Sequence, residues 1–125
     1  MFSRKNNEKL ESFIGVNSSF KGDIKTKGTI RIDGNVEGNI DSDWVIIGEK
    51  GFLKGDVRAN GVIVGGKIEG MVTAKEMIEI KGKGEITGDI NTPRLSVLEG
   101  AILNGKTTMT KDINVVELPI KTKEI

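Results

Sequence analysis

Short runs in which apolar residues alternate with others recur along this chain. Ile30/Ile32, Val45/Ile47, Val62/Val64, Ile78/Ile80 and Leu95/Val97 each frame one intervening residue, and Ser12/Ile14 reads as the first copy. Successive side chains of an extended strand point to opposite faces, so a period of two marks a strand with one buried face. A second repeated signal is built on glycine. Gly22, Gly38, Gly55, Gly70, Gly88 and Gly105 each follow, at two residues' distance, Phe20, Val36, Leu53, Ile68, Ile86 and Leu103. Two residues after the glycines come Ile24, Ile40, Val57, Val72, Ile90 and Thr107. Two further on stand Thr26, Ser42, Ala59, Ala74, Thr92 and Met109. The glycines lie 16, 17, 15, 18 and 17 residues apart. Beyond the N-terminal segment, no stretch sustains the three-to-four spacing of an amphipathic helix.

A repeat of this length leaves about five residues for each of three short sides, too few for a propeller blade. It fits one coil of a β-solenoid, in which each rung pairs in parallel with the rung before. Equivalent inward residues then stack ~4.8 Å apart, so Ile30, Val45, Val62, Ile78 and Leu95 form one apolar column. Six rungs make a rod of roughly 30 Å. The glycines fall where the chain turns a corner and needs positive φ. The longer path from Ile47 to Leu53 than from Ile32 to Val36 places extra residues in a corner loop, where insertions are tolerated. The prediction is a single all-β domain, a parallel β-helix of about six three-sided rungs over residues 12–110, between a flexible N-terminal tail (1–11) and a short C-terminal tail (111–125).

Composition then narrows the function. The repeat accounts for the high glycine count, 17 of 125, and the 4% aromatic content leaves Ile, Val and Leu to build the core. With 19 basic and 18 acidic residues the net charge is +1, which removes the electrostatic case for nucleic acid as partner. Cys and His are both absent, so no disulfide, thiolate or imidazole chemistry is available. No apolar run approaches the ~20 residues of a membrane span. Met1 to Asn7 lacks the apolar stretch of a secretion signal, so a cytoplasmic protein is expected. Gly48-Glu49-Lys50-Gly51 and Gly82-Lys83-Gly84 hold the residue types of a phosphate loop. They lack the P-loop pattern and open no helix, and read as rung corners rather than a nucleotide site. Asp41 and Asp43 read as outward corner positions rather than a metal or acid–base pair. No cofactor, no metal and no catalytic residue are expected, and the chain does not read as an enzyme. Left-handed acyltransferase solenoids, the nearest enzymatic rival, repeat every six residues and generally use a histidine.

A solenoid has two open ends whose unpaired strand edges template further pairing unless capped. Met1 to Glu11 is short and polar, and Lys111 to Leu118 alternates like a strand until Pro119; neither reads as a capping helix. Leu103, Met109, Ile113 and Val115 are therefore the candidate polymerisation contacts. Leu10-Glu11-Ser12-Phe13-Ile14-Gly15, followed by Phe20-Lys21-Gly22-Asp23-Ile24 and the recurring Gly-x-Ile/Val units, resembles the bactofilins, small bacterial cytoskeletal proteins, over about residues 10–110. The resemblance implies a right-handed triangular β-helix that polymerises end to end, without nucleotide, into non-polar filaments. It also implies attachment to the inner face of the cell membrane through the N-terminal tail, and a scaffold role for cell shape and cell-wall enzymes. The short C-terminal tail, without a proline-rich segment, departs from many members.

Phe2 beside Arg4 and Lys5 offers an apolar anchor flanked by cations, the pattern that holds a chain to an anionic membrane surface. The same residues also suit an ordinary terminal tail, and the repetition of weak anchors along a filament favours the membrane reading. Trp44, Ile46, Ile63 and Met77 point outward on neighbouring rungs and are expected to form an exposed apolar patch. Such a patch marks an interaction site unless a folded-back tail covers it. The expected function is a self-assembling filament protein at the inner membrane surface. The alternative is a non-polymerising solenoid adaptor that presents one face to a partner.

Overall fold

The computed structural model describes residues 10–109, which contain β-strands and no helix. The strands, numbered in chain order, fall on three faces visited in turn. The first face carries β1 (Leu10–Ile14), β4 (Thr29–Ile32), β7 (Trp44–Ile47), the second half of β9 (Val57–Val64), the second half of β11 (Val72–Ile80) and β14 (Leu95–Val97). The second is a 6-stranded sheet of β2 (Ser19–Lys21), β5 (Asn35–Glu37), β8 (Phe52–Lys54), β10 (Lys67–Glu69), β12 (Glu85–Thr87) and β15 (Ile102–Asn104). The third carries β3 (Ile24–Lys25), β6 (Ile40–Asp41), the first halves of β9 and β11, β13 (Ile90–Thr92) and β16 (Thr107–Met109). Strands β9 and β11 run through the third corner without a break and join the first and third faces into one sheet. The result is a β-solenoid of six three-sided rungs, every strand pair parallel.

The register is the one the repeat predicts. Ser12, Ile30, Val45, Val62, Ile78 and Leu95 pair rung to rung, as do Ile14, Ile32, Ile47, Val64, Ile80 and Val97. On the second face Phe20, Val36, Leu53, Ile68, Ile86 and Leu103 form the inward column. Between the ends these columns are sealed: Ile30, Val45, Leu53, Val62, Ile68, Ile78 and Ile86 are 0% exposed. β-Branched side chains suit this packing because each one lies on a near-identical neighbour one strand spacing away. The core is almost wholly Ile, Val and Leu, with Ala59 and Ala74 where the third corner narrows. At that same inward position Ser42 and Thr92 are buried. The Ser42 hydroxyl lies 3.0 Å from the Gly28 carbonyl and 3.2 Å from that of Trp44, and Thr92 donates to Arg94 at 3.0 Å. The Gly28 and Arg94 carbonyls already accept the Trp44 and Ile78 amides at 3.0 Å, so what these bonds secure is a partner for the buried hydroxyls themselves.

The second corner explains the repeated glycine. Gly55 has φ +152°, and a Cβ there would fall on the carbonyl oxygen of Gly38 one rung away. The next residue of each unit ties rungs together from outside. The Asp23 carboxylate accepts from the Asn39 amide at 3.0 Å, the Asn39 side chain from Asp56 at 3.0 Å, and Asp56 from Met71 at 3.1 Å. Asp89 repeats the bond to Lys106 at 3.3 Å. The step from Met71 to Asp89 lacks it, since a thioether at that place offers no such oxygen.

The two ends differ. The first rung begins at Leu10, ahead of the expected boundary at residue 12, with an irregularity between Leu10 and Ser12. Its inward positions are poorly covered: Phe20 is 40% exposed. In the last rung Val97 and Leu103 are 7% and 5% exposed, while the inward Thr107 is open.

Adjacent residues on opposite sides of one strand test this register. Val62→Asp is expected to abolish the cooperative urea transition, because it buries an unpaired charge in the column. Ile63→Asp, one residue along and outward, loses only half-buried packing and is expected to keep the cooperative transition at a lower midpoint, at a cost of roughly 1–2 kcal/mol. Equal effects would mean the register is off by one residue.

Candidate assembly surfaces

Three regions hold the residues singled out in the sequence: the two ends of the rod and the outer side of the first face. At the C-terminal end, Leu103 does not project outward. It closes the second-face column beneath Ile86 and, at 5% exposed, belongs to the core. Met109 ends β16 opposite Thr92. Ile113 and Val115, like Phe2, Arg4 and Lys5, lie outside the described residues. Among the described residues of the last rung, the exposed large apolar side chains are Ile102 and Leu98, 47% and 41% exposed. The alternation placed Leu103 inward and Ile102 outward, so the distinction was readable from the strand pattern.

The N-terminal end exposes a large apolar side chain at a position equivalent to the buried second-face column. Phe20 is an inward residue in position but not in burial, because the rung that would cover it does not exist among the described strands. An inward aromatic in the first unit of a repeat, where the other units carry Val, Ile or Leu, is the signal that marks it.

The outer side of the first face brings the four predicted patch residues together in two rows. Ile46 pairs with Ile63, and Trp44 and Met77 both pair with Gly61. All four are half-buried. The indole of Trp44 lies on Gly61, where a Cβ would collide with the ring. Glycine at 61 is thus what lets the tryptophan lie flat across the rung.

Charged residues flank this patch. Arg31, one rung toward the N-terminus from Ile46, donates from Nε to Asp33 Oδ2 at 2.9 Å and from Nη2 to Oδ1 at 3.1 Å. That hydrogen bond, more than the charge of Asp33, raises the Arg31 pKa above its already high ordinary value, so the guanidinium stays cationic. Glu79, one rung toward the C-terminus from Ile63, lies 3.9 Å from Lys81. Elsewhere the second face carries a mixed ladder of charges, Lys21 with Glu37 and Lys67 with Glu69 and Glu85, worth little individually at such exposure. Asp41 and Asp43 are exposed at the third corner, and Asp43 accepts the Gly28 amide at 3.0 Å. Among the described residues no three acidic side chains gather as a metal site, and no helix is long and apolar enough to cross a membrane.

A family model for bactofilins, described as polymer-forming cytoskeletal, matches residues 12–108. The chain belongs to the bactofilin family. Two curated members from Myxococcus xanthus (strain DK1622) are similar to it. Bactofilin BacO is 26% identical over 109 residues, 86% of each chain, and bactofilin BacP is 29% identical over 107 residues. The BacP match covers 85% of this chain but only 44% of BacP, so this chain spans less than half the length of that relative. Among solved structures, a cryo-EM reconstruction of Thermus thermophilus bactofilin double helical filaments superposes with a TM-score of 0.72 at 25% identity. It covers 79% of this chain and 99% of that one. Bactofilins form polymers, which makes the two ends of the described rod the first surfaces to test for contact with further copies.

Phe20→Arg separates an assembly role from a core role. The variant is expected to keep the β-rich circular dichroism of the parent, since the side chain is already substantially wet. It is expected to sediment as short species, because a charge then sits where a second copy would dock. Unchanged sedimentation would remove Phe20 from the interface.

Proposed function

We propose that this bactofilin joins end to end, without nucleotide, into filaments that lie against the inner face of the cell membrane and scaffold the machinery of cell shape or cell-wall synthesis. The observation that carries the polymer is the match of the polymer-forming bactofilin model over residues 12–108. Among the described strands none lies beyond β1, β2 and β3 at one end or β14, β15 and β16 at the other, and a further copy stacking on those edges in parallel would continue the same ladder. Apolar core positions accompany those edges at the N-terminal end. Phe20 is 40% exposed, so covering the remainder contributes roughly 1 kcal/mol, and satisfying the ladder fixes the docking angle. Assembly of this kind uses binding energy alone and calls for no hydrolysis. Family membership supports the same reading, as does the double helical filament formed by the Thermus relative.

The membrane part of the proposal rests on Phe2, Arg4 and Lys5. Phe2 inserts at headgroup level, while the two cations add about 1 kcal/mol each at an anionic surface. A single tail of this kind binds marginally. A filament repeats it at regular spacing and converts weak contacts into retention.

Two measurements test the proposal. Negative-stain microscopy of purified protein is expected to show filaments equally with and without ATP or GTP; a chain that stays monomeric at high concentration would favour the adaptor instead. Deleting residues 1–7, or Phe2→Glu, is expected to release filaments from anionic liposomes while leaving them assembled. Loss of both cations alone weakens each copy by about 2 kcal/mol, roughly 30-fold. Raised salt removes that cationic share and leaves the apolar one. Identical co-sedimentation with and without the tail would disprove the membrane anchor.

A further inference from the structure

The outer side of the first face has an order that its strand pairing makes visible. Along the axis, one row reads Phe13, Arg31, Ile46, Ile63, Glu79, Ser96. The corner column beside it reads Asp33, Gly48, Gly65, Lys81, as the successive amide bonds to Ile14, Ile32, Ile47 and Val64 establish. Both rows are reversed in charge about the same point, midway between the third and fourth rungs. Arg31 and Asp33 stand two rungs before Ile63 and Gly65; Glu79 and Lys81 stand two rungs after Ile46 and Gly48. The polarity of the ion pair is inverted from one end of the patch to the other.

We infer that this face docks on the same face of a second copy, with the two rod axes antiparallel. A twofold axis along the strand direction, between the third and fourth rungs, sets Ile46 against Ile63 and Arg31 against Glu79. It also sets Asp33 against Lys81 and the two corner glycines against each other. Each end of the patch then closes in a four-charge cluster of alternating sign, around a centre made by Ile46, Ile63 and the two indoles. An interface of this type is isologous: each contact occurs twice. The parallel alternative, a twofold along the rod axis, sets Arg31 against Thr29 and Glu79 against Met77. It leaves both charges without an opposite charge on the second copy and covers a carboxylate with a thioether, which disfavours it. The contact is small, roughly 29 by 13 Å from six rungs of four residues, so it is a weak contact for single rods. It does not need the ends to join, and its test does not depend on filaments forming.

The chain has no cysteine, so introduced thiols are the only ones present. Packed sheets lie ~10 Å apart, too far for a disulfide and within reach of a short bismaleimide. Arg31→Cys and Glu79→Cys are prepared separately, then treated with bismaleimidoethane alone and as an equal mixture. In the antiparallel pair, unlike sites face each other while like sites are offset by three rungs, ~14 Å along the axis. The mixture is expected to give covalent dimer at least tenfold above either variant alone. Adding Ile46→Lys to both is expected to abolish the product while the circular dichroism melt stays near that of the parent. Dimer in the single-variant samples, or product that survives Ile46→Lys, would overturn the antiparallel face. So would no product up to roughly 1 mM protein, where even weak contacts are populated; a chain segment or an unrelated protein would then be the cover for this patch. Filament formation by the same variants, read by microscopy, reports separately on the ends.

Discussion

Parallel stacking at a single spacing governs this molecule. Because each rung pairs in register with the last, every residue sits ~4.8 Å from its own counterpart, and a position must tolerate itself as a neighbour. Ile on Val on Ile passes that condition on the inside. On the outside, Lys67 lies between Phe52 and Glu85, and Arg31 between Phe13 and Ile46, so that cations are not stacked on cations. The corner glycines obey the same condition in its most severe form. Gly38, Gly55 and Gly70 bring backbone directly onto backbone, and no side chain fits between them.

That condition also explains how much of the fold was legible. A position that must suit its own copies repeats its chemistry, and six units agreeing at four offsets disclosed rung number, inward columns and corners. Corner conformation at Gly22 through Gly105 followed from the same series, each with φ between 137° and 152°. What stayed hidden lies where the repeat ends or where the contact does not repeat. Phe20 carries a core offset, yet it is 40% exposed because no described strand stacks on one side of it. The start of β1 at Leu10 was missed because Leu10 pairs with Thr29 through an irregularity that breaks the two-residue alternation.

The candidate surfaces show the same division. Trp44, Ile46, Ile63 and Met77 were legible as outward apolar residues because alternation alone sets their side. Their arrangement in two rows, with Gly61 accommodating the indole, required the actual pairing across β7, β9 and β11. The flanking ion pairs required it still more, since Arg31 and Glu79 lie 48 positions apart in the chain and meet the same row only through the register. Leu103 illustrates the converse. End position suggested a contact, but strand alternation had already assigned it to the interior.

The flat placement of Trp44 on Gly61 gives this protein an unusual optical property. The chain has one Trp and no Tyr, so its near-ultraviolet emission comes essentially from that one indole. The ring lies on the outer wall, not in the hydrophobic columns. Its wavelength and quenching therefore follow what covers the first face, while loss of the core is read only indirectly. For this bactofilin, intrinsic fluorescence is a gauge of contact rather than of folding.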